Sequence, residues 1–296
     1  MRISLFFFIL FTYNLTAQEN LRSFKNDWNV NDRVLDTKKR NILLYSGISS
    51  YAISLISLNY AWYQNYDRSS FHFINDNNEW LQLDKVGHAF TSYYLGVKGI
   101  QCFKWAGFNR KKSIWYGGMS GSVFLTIVEI LDGTSKKWGA SPGDLIANTA
   151  GSMLAILQEL KNDEQSIQFK FSYFPSKWAS LNPSQLGKNQ MERILKDYNG
   201  QTYWLSFNLK SLLNIHDTYF PKWLALSVGY SGDNIITPSH IDSKRQFFMS
   251  FDVDLSKLKS KSKFLNSMLS AFGFIKLPAP TIEYCNPFFK FHPIYF

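Results

Sequence analysis

Six polar side chains at helical spacing are the part of this sequence best suited to chemistry. They form three pairs, and the members of each pair are three or four residues apart, which places both on one face of a helix. The pairs are Asp84 with His88, Glu129 with Asp132, and Asp144 with Asn148. An imidazole among several carboxylates is suited to bind a divalent metal ion or to carry out acid–base chemistry.

A purely structural network is the competing interpretation of the same side chains. In that network Lys85 pairs with Glu129 or Asp132. His88 then hydrogen-bonds to a carboxylate, and Asp144 caps a helix. Breaking a buried ion pair costs about 3–5 kcal/mol, so such a network would be retained without any chemistry. We rank this interpretation above a binding site, and a binding site above catalysis.

Hydrolytic catalysis ranks last because the sequence contains no nucleophile elbow, phosphate loop, metalloprotease helix or dinucleotide fingerprint. The candidate catalytic residues are His88, Asp84, Glu129 and Asp132. No substrate follows from the sequence.

Four segments with helical periodicity carry these residues: 42–63, 84–103, 113–131 and 141–160. The first contains no charge over 22 residues, which is long enough to cross a membrane. In an antiparallel arrangement the polar ends of the other three segments meet at one end of the bundle. The predicted polar cluster comprises Asp84, Lys85, His88, Glu129, Asp132, Ser141, Asp144, Asn148 and Gly151.

The fourth helical segment opens on a clear start signal. Ser141 is suited to cap the helix, and Pro142 stands at the first helical position. Small residues such as Gly151 follow, and they let a neighbouring backbone approach closely.

Three spaced motifs carry a resemblance to a known family. They read Asp84-Lys85-x-x-His88-x-Phe90, then Glu129-x-x-Asp132, then Gly139-x-Ser141-x-x-Asp144-x-x-x-Asn148-x-x-Gly151. This pattern resembles the YfiM-like domain of unknown function, described as predicted periplasmic lipoproteins, and more loosely VanZ-like membrane proteins. The resemblance covers 83–157 and implies a small helical domain in the cell envelope with no established reaction.

Residues 1–17 have the layout of a secretory signal peptide. Arg2 precedes an apolar run at 5–11, and Ala17 provides a small residue for cleavage. The run is too short to span a bilayer, although an uncleaved anchor is the rival interpretation. No cysteine follows the run, so the lipobox of a lipoprotein is missing from this part of the sequence. We therefore expect an exported, periplasm-facing protein.

Alternation with a period of two predicts strands after residue 166. Segments 203–209, 223–230 and 247–255 alternate strictly, and weaker candidates lie at 168–173, 280–284 and 289–295, with a helix at about 257–272. One face of these strands is large and aromatic and the other small or polar, which is typical of an outer-membrane sheet. A soluble sheet packed on the helices is the alternative. Six strands are fewer than the usual minimum of eight for a closed barrel.

The composition excludes several classes of protein. Aromatic residues make up 17% of the chain and charged residues only 18%, which excludes a disordered chain. The net charge is +10, but basic clusters at 110–112 and 257–263 carry no nucleic-acid motif and suit anionic lipid instead. Cys102 and Cys285 exclude a multi-cysteine zinc cluster, and whether they pair after export stays open.

The predicted fold class is α+β, with a bundle of about four apolar helices followed by an antiparallel β-rich half. The predicted domains are a signal peptide at 1–17, a helical domain at 41–160 and a β-rich domain at 166–296. We expect a structural or assembly component of the cell envelope, with the outer membrane favoured. Membrane lipid or envelope proteins are the expected partners, and nucleic acid is not. No cofactor is expected, apart from a divalent metal at the polar cluster as an alternative. The alternative function is a lipid- or cell-wall-directed hydrolase, or a metal-binding protein, that uses the His88 and carboxylate cluster.

Overall fold

The computed structural model describes residues 36–64 and 66–296, so the predicted signal peptide at 1–17 lies outside the described residues. Helices occupy the N-terminal half and a six-stranded antiparallel sheet the C-terminal half, which confirms the α+β class. The chain divides into two compact units. Within the described residues, the helical unit comprises 36–77 and 88–164, and the sheet unit comprises 78–87 and 165–296.

Four long helices occupy the predicted helical segments. They are α1 (Thr37–Leu58), α2 (Leu83–Trp105), α3 (Ser120–Gly133) and α4 (Pro142–Asn162). A π-helical turn, Asn59–Tyr63, extends α1, and a 3-10 turn, Trp80–Gln82, precedes α2. Helix α2 starts in the sheet unit and continues into the helical unit.

The third predicted helical segment is not one continuous α-helix. A short turn, Arg110–Lys112, precedes it, and the segment opens with a π-helical turn, Ser113–Gly117, before α3 proper begins at Ser120. A Cβ added to Gly117 would lie 2.5 Å from the backbone of Gly99 on α2. The irregular turn is therefore the place where a glycine lets two backbones touch.

Helix starts follow the capping rules. The Asp36 side chain accepts a hydrogen bond from the Lys39 amide at 3.0 Å. The Ser141 hydroxyl accepts one from the Asp144 amide at 3.2 Å, and Pro142 occupies the first turn of α4. The start predicted for α4 is confirmed, because the hydroxyl satisfies an amide that has no partner within the helix.

Small residues let helices α2, α3 and α4 pack so closely that their backbones are in contact. A Cβ at Gly151 would lie 2.1 Å from the Ala89 carbonyl oxygen, and one at Gly121 would lie 2.2 Å from that of Ser92. The Ser92 hydroxyl also lies 2.9 Å from that of Ser152. These three helices therefore pack through backbone and hydroxyl groups, which leaves little tolerance for a larger side chain.

Helix α1 packs on α3 along a narrow stripe. The Tyr51 hydroxyl donates to the Ser120 carbonyl at 2.9 Å. Farther along the chain from Tyr51 and Ser120, four residues of these segments form a core cluster: Leu58, Tyr63, Leu125 and Val128. Most other large side chains of α1 are exposed.

The sheet is a meander in which each strand pairs with the next along the chain. Its strands are β1 (Ile167–Tyr173), β2 (Gln201–Asn208), β3 (Leu224–Asp233), β4 (Lys244–Val253), β5 (Ala279–Cys285) and β6 (Phe288–Tyr295). All six predicted strands are present. Two further helices are α5 (Gln190–Lys196) and α6 (Lys263–Ala271), and short helical turns lie at Trp178–Ser180, Pro183–Leu186, Leu209–Leu212 and Leu255–Lys257.

Several predicted boundaries in the sheet unit are wrong: β3 continues to Asp233, and β4 runs from Lys244 to Val253 instead of 247–255. Local caps explain two further differences. Leu209 was expected to end β2, but the Asn208 side chain accepts from the Ser211 amide and starts a helical turn there. The helix expected from Lys257 starts at Lys263 instead, where Ser262 supplies the N-cap.

The strand register separates two chemically opposite faces. The apolar face contains a row that crosses all six strands: Phe171, Tyr203, Tyr230, Phe247, Tyr284 and Phe289. The next row on that face is Phe169, Leu205, Val228, Met249, Ile282 and Phe291. The polar face contains the row Gln168, Ser206, Ser227, Ser250, Thr281 and His292.

The sheet is rolled with its polar face inward. The Lys170 ammonium on β1 lies 2.9 Å from the Asp252 carboxylate on β4, although three strand spacings in a flat sheet amount to about 14 Å. On the far side, the Thr202 hydroxyl of β2 lies 3.2 Å from that of Tyr295 on β6. The free edge of β1 is also covered, because the Phe171 backbone pairs with the segment 274–276.

Replacing Gly151 by Ala is expected to destabilise the helical unit by about 1–3 kcal/mol, because the added methyl group would force α4 away from the Ala89 carbonyl. Gly273→Ala is the matched control, since its Cβ would meet the Leu269 carbonyl at an ordinary 3.4 Å. Urea unfolding of both variants measures the difference. Equal stabilities would contradict the tight α2–α4 contact.

Candidate functional site

Three helices of the helical unit bring polar side chains to one buried place. Helix α2 contributes His88, α3 contributes two carboxylates near its end, and α4 contributes its cap and first turns. Six of the nine residues of the predicted cluster form what we call the polar cluster, and all six are buried: His88, Glu129, Asp132, Ser141, Asp144 and Asn148.

His88 lies at the centre of the polar cluster. Its Nδ1 is 3.0 Å from Asn148 Oδ1, and its Nε2 is 3.8 Å from Glu129 Oε1. A ring nitrogen of His88 also lies within 4.8 Å of a carboxylate oxygen of Asp144. When Nδ1 carries the proton and donates it to Asn148, the Nε2 lone pair is directed toward the carboxylates.

Glu129 joins the end of α3 to the start of α4. Its Oε2 accepts a hydrogen bond from the Ser141 amide at 2.9 Å, and the side chain is almost fully buried. Burial raises the pKa of Glu129 to about 7; His88 and the Ser141 amide lower it, and Asp144 and Asp132 raise it further. Near neutral pH this carboxyl group therefore exchanges between its protonated and ionised forms.

Two further residues complete the surroundings of the polar cluster, and sequence reasoning missed both. The Tyr63 hydroxyl donates to Asp132 Oδ1 at 2.6 Å, and the Ser141 hydroxyl donates to Asp76 Oδ1 at 2.6 Å. Asp76 is placed there because the segment before it pairs with the α3–α4 loop, where the Ile74 amide donates to the Ala140 carbonyl. Neither residue shares a helical period with the cluster, so the sequence carried no signal for either one.

Asn148 has spare hydrogen-bonding capacity. Its side chain is 0% exposed, its Oδ1 faces His88, and its Nδ2 has no hydrogen-bond partner among the described residues. A buried donor without a partner costs about 1–3 kcal/mol. The amide is therefore able to donate to an acceptor that enters the polar cluster.

The remaining predicted site residues are Asp84, Lys85 and Gly151. Asp84 and Lys85 are in the first turn of α2, in the part that belongs to the sheet unit. There, the Tyr198 hydroxyl donates to Asp84 Oδ1 at 2.8 Å. Helical spacing places Asp84 and His88 on the same face of α2. Gly151 contributes no polar group; it provides the close α2–α4 contact described above.

The sheet unit contains a second buried charged group that the sequence did not reveal. Lys170 and Lys276 are both buried beside Asp252, at 2.9 and 3.9 Å from its carboxylate oxygens. Lys276 also donates to the Ser250 hydroxyl at 3.2 Å. Their positions in the polar-face interior make them part of the fold of this unit.

The two cysteines are free thiols. Cys102 is buried, and burial raises its pKa to about 11, whereas Cys285 is half-buried. A disulfide between them, which the sequence left open, is not formed in this structure.

A family described as predicted periplasmic lipoprotein (DUF2279) matches residues 72–160. This segment contains every residue of the polar cluster. The match supports an exported protein of the cell envelope, and it brings no established reaction with it. The likeness to YfiM-like and VanZ-like proteins stays a prediction. No curated protein matches the chain, and no solved structure matches it.

Replacing Glu129 by Gln is expected to stabilise the helical unit at pH 8 by about 3 kcal/mol, measured with a chelator present. The folded-state pKa of about 7 exceeds the ordinary value of 4.5, so the folded state holds more protons between these values. Wild-type stability therefore falls as the pH rises from 4.5 through 7, and the uncharged variant escapes this loss.

Urea unfolding from pH 4 to pH 8 measures the effect of Glu129→Gln, with Glu192→Gln on α5 as the control. Glu192 is only half-buried. Burial raises its pKa, but the hydrogen bonds and charges of Lys196 and Lys188 together lower it below its ordinary value, so loss of this carboxylate should not stabilise the protein. A constant difference between wild type and Glu129→Gln at every pH would contradict the raised pKa of Glu129.

Proposed function

We propose that this chain is a non-enzymatic structural or assembly component of the bacterial cell envelope, held to a membrane by α1. The family match supports the envelope location. The observation that carries membrane attachment is the exposed apolar surface of α1. Its exposed large side chains are Ile42, Leu44, Tyr45, Ile48, Ile53 and Ile56.

Two helical stretches in the described part of the chain are long and apolar enough to cross a membrane: Thr37–Leu58 and Arg110–Gly133. The second is half buried and carries Glu129 and Asp132, so we treat it as a core helix of the helical unit. Helix α1 is mostly exposed and has no charged residue after Arg40. Water is a poor solvent for such a surface, and lipid is a good one.

A structural role for the polar cluster agrees with the hydrogen bonds that the hydroxyl groups of Ser141, inside the cluster, and Ser92, beside it, donate. Ser141 donates to Asp76, and Ser92 on α2 donates to the Asn148 carbonyl on α4. These protons join one chain segment to another. Our proposal is therefore that the polar cluster holds α2, α3 and α4 together.

The apolar face of the sheet favours the outer membrane as the location of the protein.

Replacing Ile48 and Ile53 by Lys is expected to raise severalfold the share of the protein that alkaline carbonate releases from membranes, because each charge on a membrane-inserted helix costs about 2.5–3.5 kcal/mol. Both side chains are exposed, so the fold of the helical unit should survive. Alkaline carbonate extraction of cell fractions measures the shift. The control is Ile241→Lys, at a fully exposed position in the β3–β4 loop. Unchanged membrane recovery of the double variant would refute α1 as the anchor, and recovery of wild type from the cytosol would refute the envelope location.

Divalent-metal binding at the polar cluster is a second candidate function. It is favoured by the position of His88 between Glu129 and Asp144, which are 3.8 Å and within 4.8 Å of its ring nitrogens. The bond from Nδ1 to Asn148 would orient the ring so that Nε2 binds the ion, a common arrangement around metal ligands.

If a cation binds at the polar cluster, Zn²⁺ or Mn²⁺ at 100 times its dissociation constant should raise the melting temperature by about 5 °C or more. His88→Gln and Asp144→Asn should each abolish that rise. His216→Gln, which removes an exposed histidine of the sheet unit, should keep it. If the wild type shows no rise in melting temperature, no cation binds at the polar cluster. The cluster is then a structural network in which bound protons neutralise carboxylate charge.

A further inference from the structure

We propose that the apolar face of the sheet unit, across β3 to β6, contacts the acyl chains of a membrane that contains anionic phospholipid. This surface is separate from α1, so the inference goes beyond the membrane attachment proposed above. It rests on the distribution of polar and apolar groups in the rolled sheet.

The apolar face is exposed where the register makes it continuous. Met249 at its centre is 52% exposed, and Phe291, two strands away in the same row, is 64% exposed. The neighbouring exposed members of this face are Val228, Phe247, Phe251, Ile282 and Phe289. Over β1 and β2 the same face is covered, since Phe171 and Tyr203 are buried and the Tyr203 hydroxyl lies against Gly87.

The interior of the rolled sheet encloses charged and hydroxyl groups around two buried aromatic rings, those of Trp204 and Phe248. Lys170, Asp252 and Lys276 are all buried there, and the Lys276 ammonium lies 5.1 Å from the centre of the Trp204 ring. The hydroxyls of the polar-face row line the same interior; they are Ser206, Ser227, Ser250 and Thr281. A protein folded for water has the opposite arrangement, because burial of apolar surface is the main force that drives folding. Polar groups inside and apolar groups outside are typical of a sheet that lies in lipid.

Strand length and curvature favour lipid over a protein partner. A lipid-facing strand that spans the acyl-chain layer needs about 9–11 residues. Strands β3 and β4 have 10 each, and β5 and β6, with 7 and 8, reach across part of that layer. Because the polar face forms the inside of the roll, the apolar face is its convex outer side. Fluid acyl chains can follow a convex surface without a matching shape.

Positive charge lies beside one end of β4, as contact with anionic headgroups requires. Lys259 and Lys261 follow the strand and are exposed. Helix α6 comes next, with Phe264 and Leu265 exposed on its surface. Basic residues next to an amphipathic helix with exposed apolar side chains are typical of the lipid headgroup region.

The test measures what surrounds single spin labels on the full-length chain in vesicles of phosphatidylethanolamine and phosphatidylglycerol. The background carries Cys102→Ala and Cys285→Ala, and labels are attached after Met249→Cys or Phe291→Cys. Both labels should collide at least threefold more with oxygen, which dissolves in lipid, than with a water-soluble nickel chelate. Ile241→Cys is the matched control; position 241 is 97% exposed in the β3–β4 loop and should show the reverse preference.

Two outcomes overturn the inference. Strong collision of the labels at 249 and 291 with the nickel chelate means that the apolar face contacts water. Shielding from both reagents means that protein covers it, either a second copy of this chain or another partner. Two label sites guard against a local disturbance, and circular dichroism identifies a variant that has not folded. Carbonate extraction of the α1 variants reports separately on α1, so either proposal can fail alone.

Discussion

The position of the Glu129 carboxyl group is the constraint on which the helical unit depends. The Glu129 side chain on α3 accepts a hydrogen bond from the Ser141 amide at the start of α4. The same side chain lies beside the His88 imidazole on α2. Burial makes its charge costly, and the neighbouring carboxylates of Asp132 and Asp144 add to that cost. The groups that contact Glu129 must therefore be placed accurately. That is possible only if the backbones of the three helices lie in contact with one another.

That approach explains the small residues in the bundle. Gly121 and Gly151 lie where the backbone of α2 comes closest, at Ser92 and Ala89. A larger residue at either point would move a helix away and leave Glu129 or His88 without its partner in a buried place, which costs far more than the same loss at the surface. Tight packing and the polar cluster are thus two parts of one arrangement.

The sheet unit also contains buried charges, but it encloses them by curvature of the sheet. Lys170, Lys276 and Asp252 are enclosed by rolling the sheet, and backbone carbonyls such as that of Phe251 supply further acceptors to the ammonium groups. The interior also holds the aromatic side chains of Trp204 and Phe248, and the other face of β3 to β6 leaves its apolar side chains exposed. Each unit leaves large apolar side chains exposed, on α1 in the helical unit and on β3 to β6 in the sheet unit.

The sequence by itself determined the local structure of this protein. Period-two alternation located all six strands, helical periodicity located the four long helices, and Ser141-Pro142 marked the start of α4, because each of these signals acts between residues close in the chain. Pair spacing also identified the polar residues of α2, α3 and α4. The partners Tyr63 and Asp76, the buried Lys170 and Lys276, and the inward roll of the polar face were decided only by the tertiary structure. They depend on contacts between segments tens of residues apart, where burial, hydrogen bonding and curvature act together and leave no periodic pattern in the sequence.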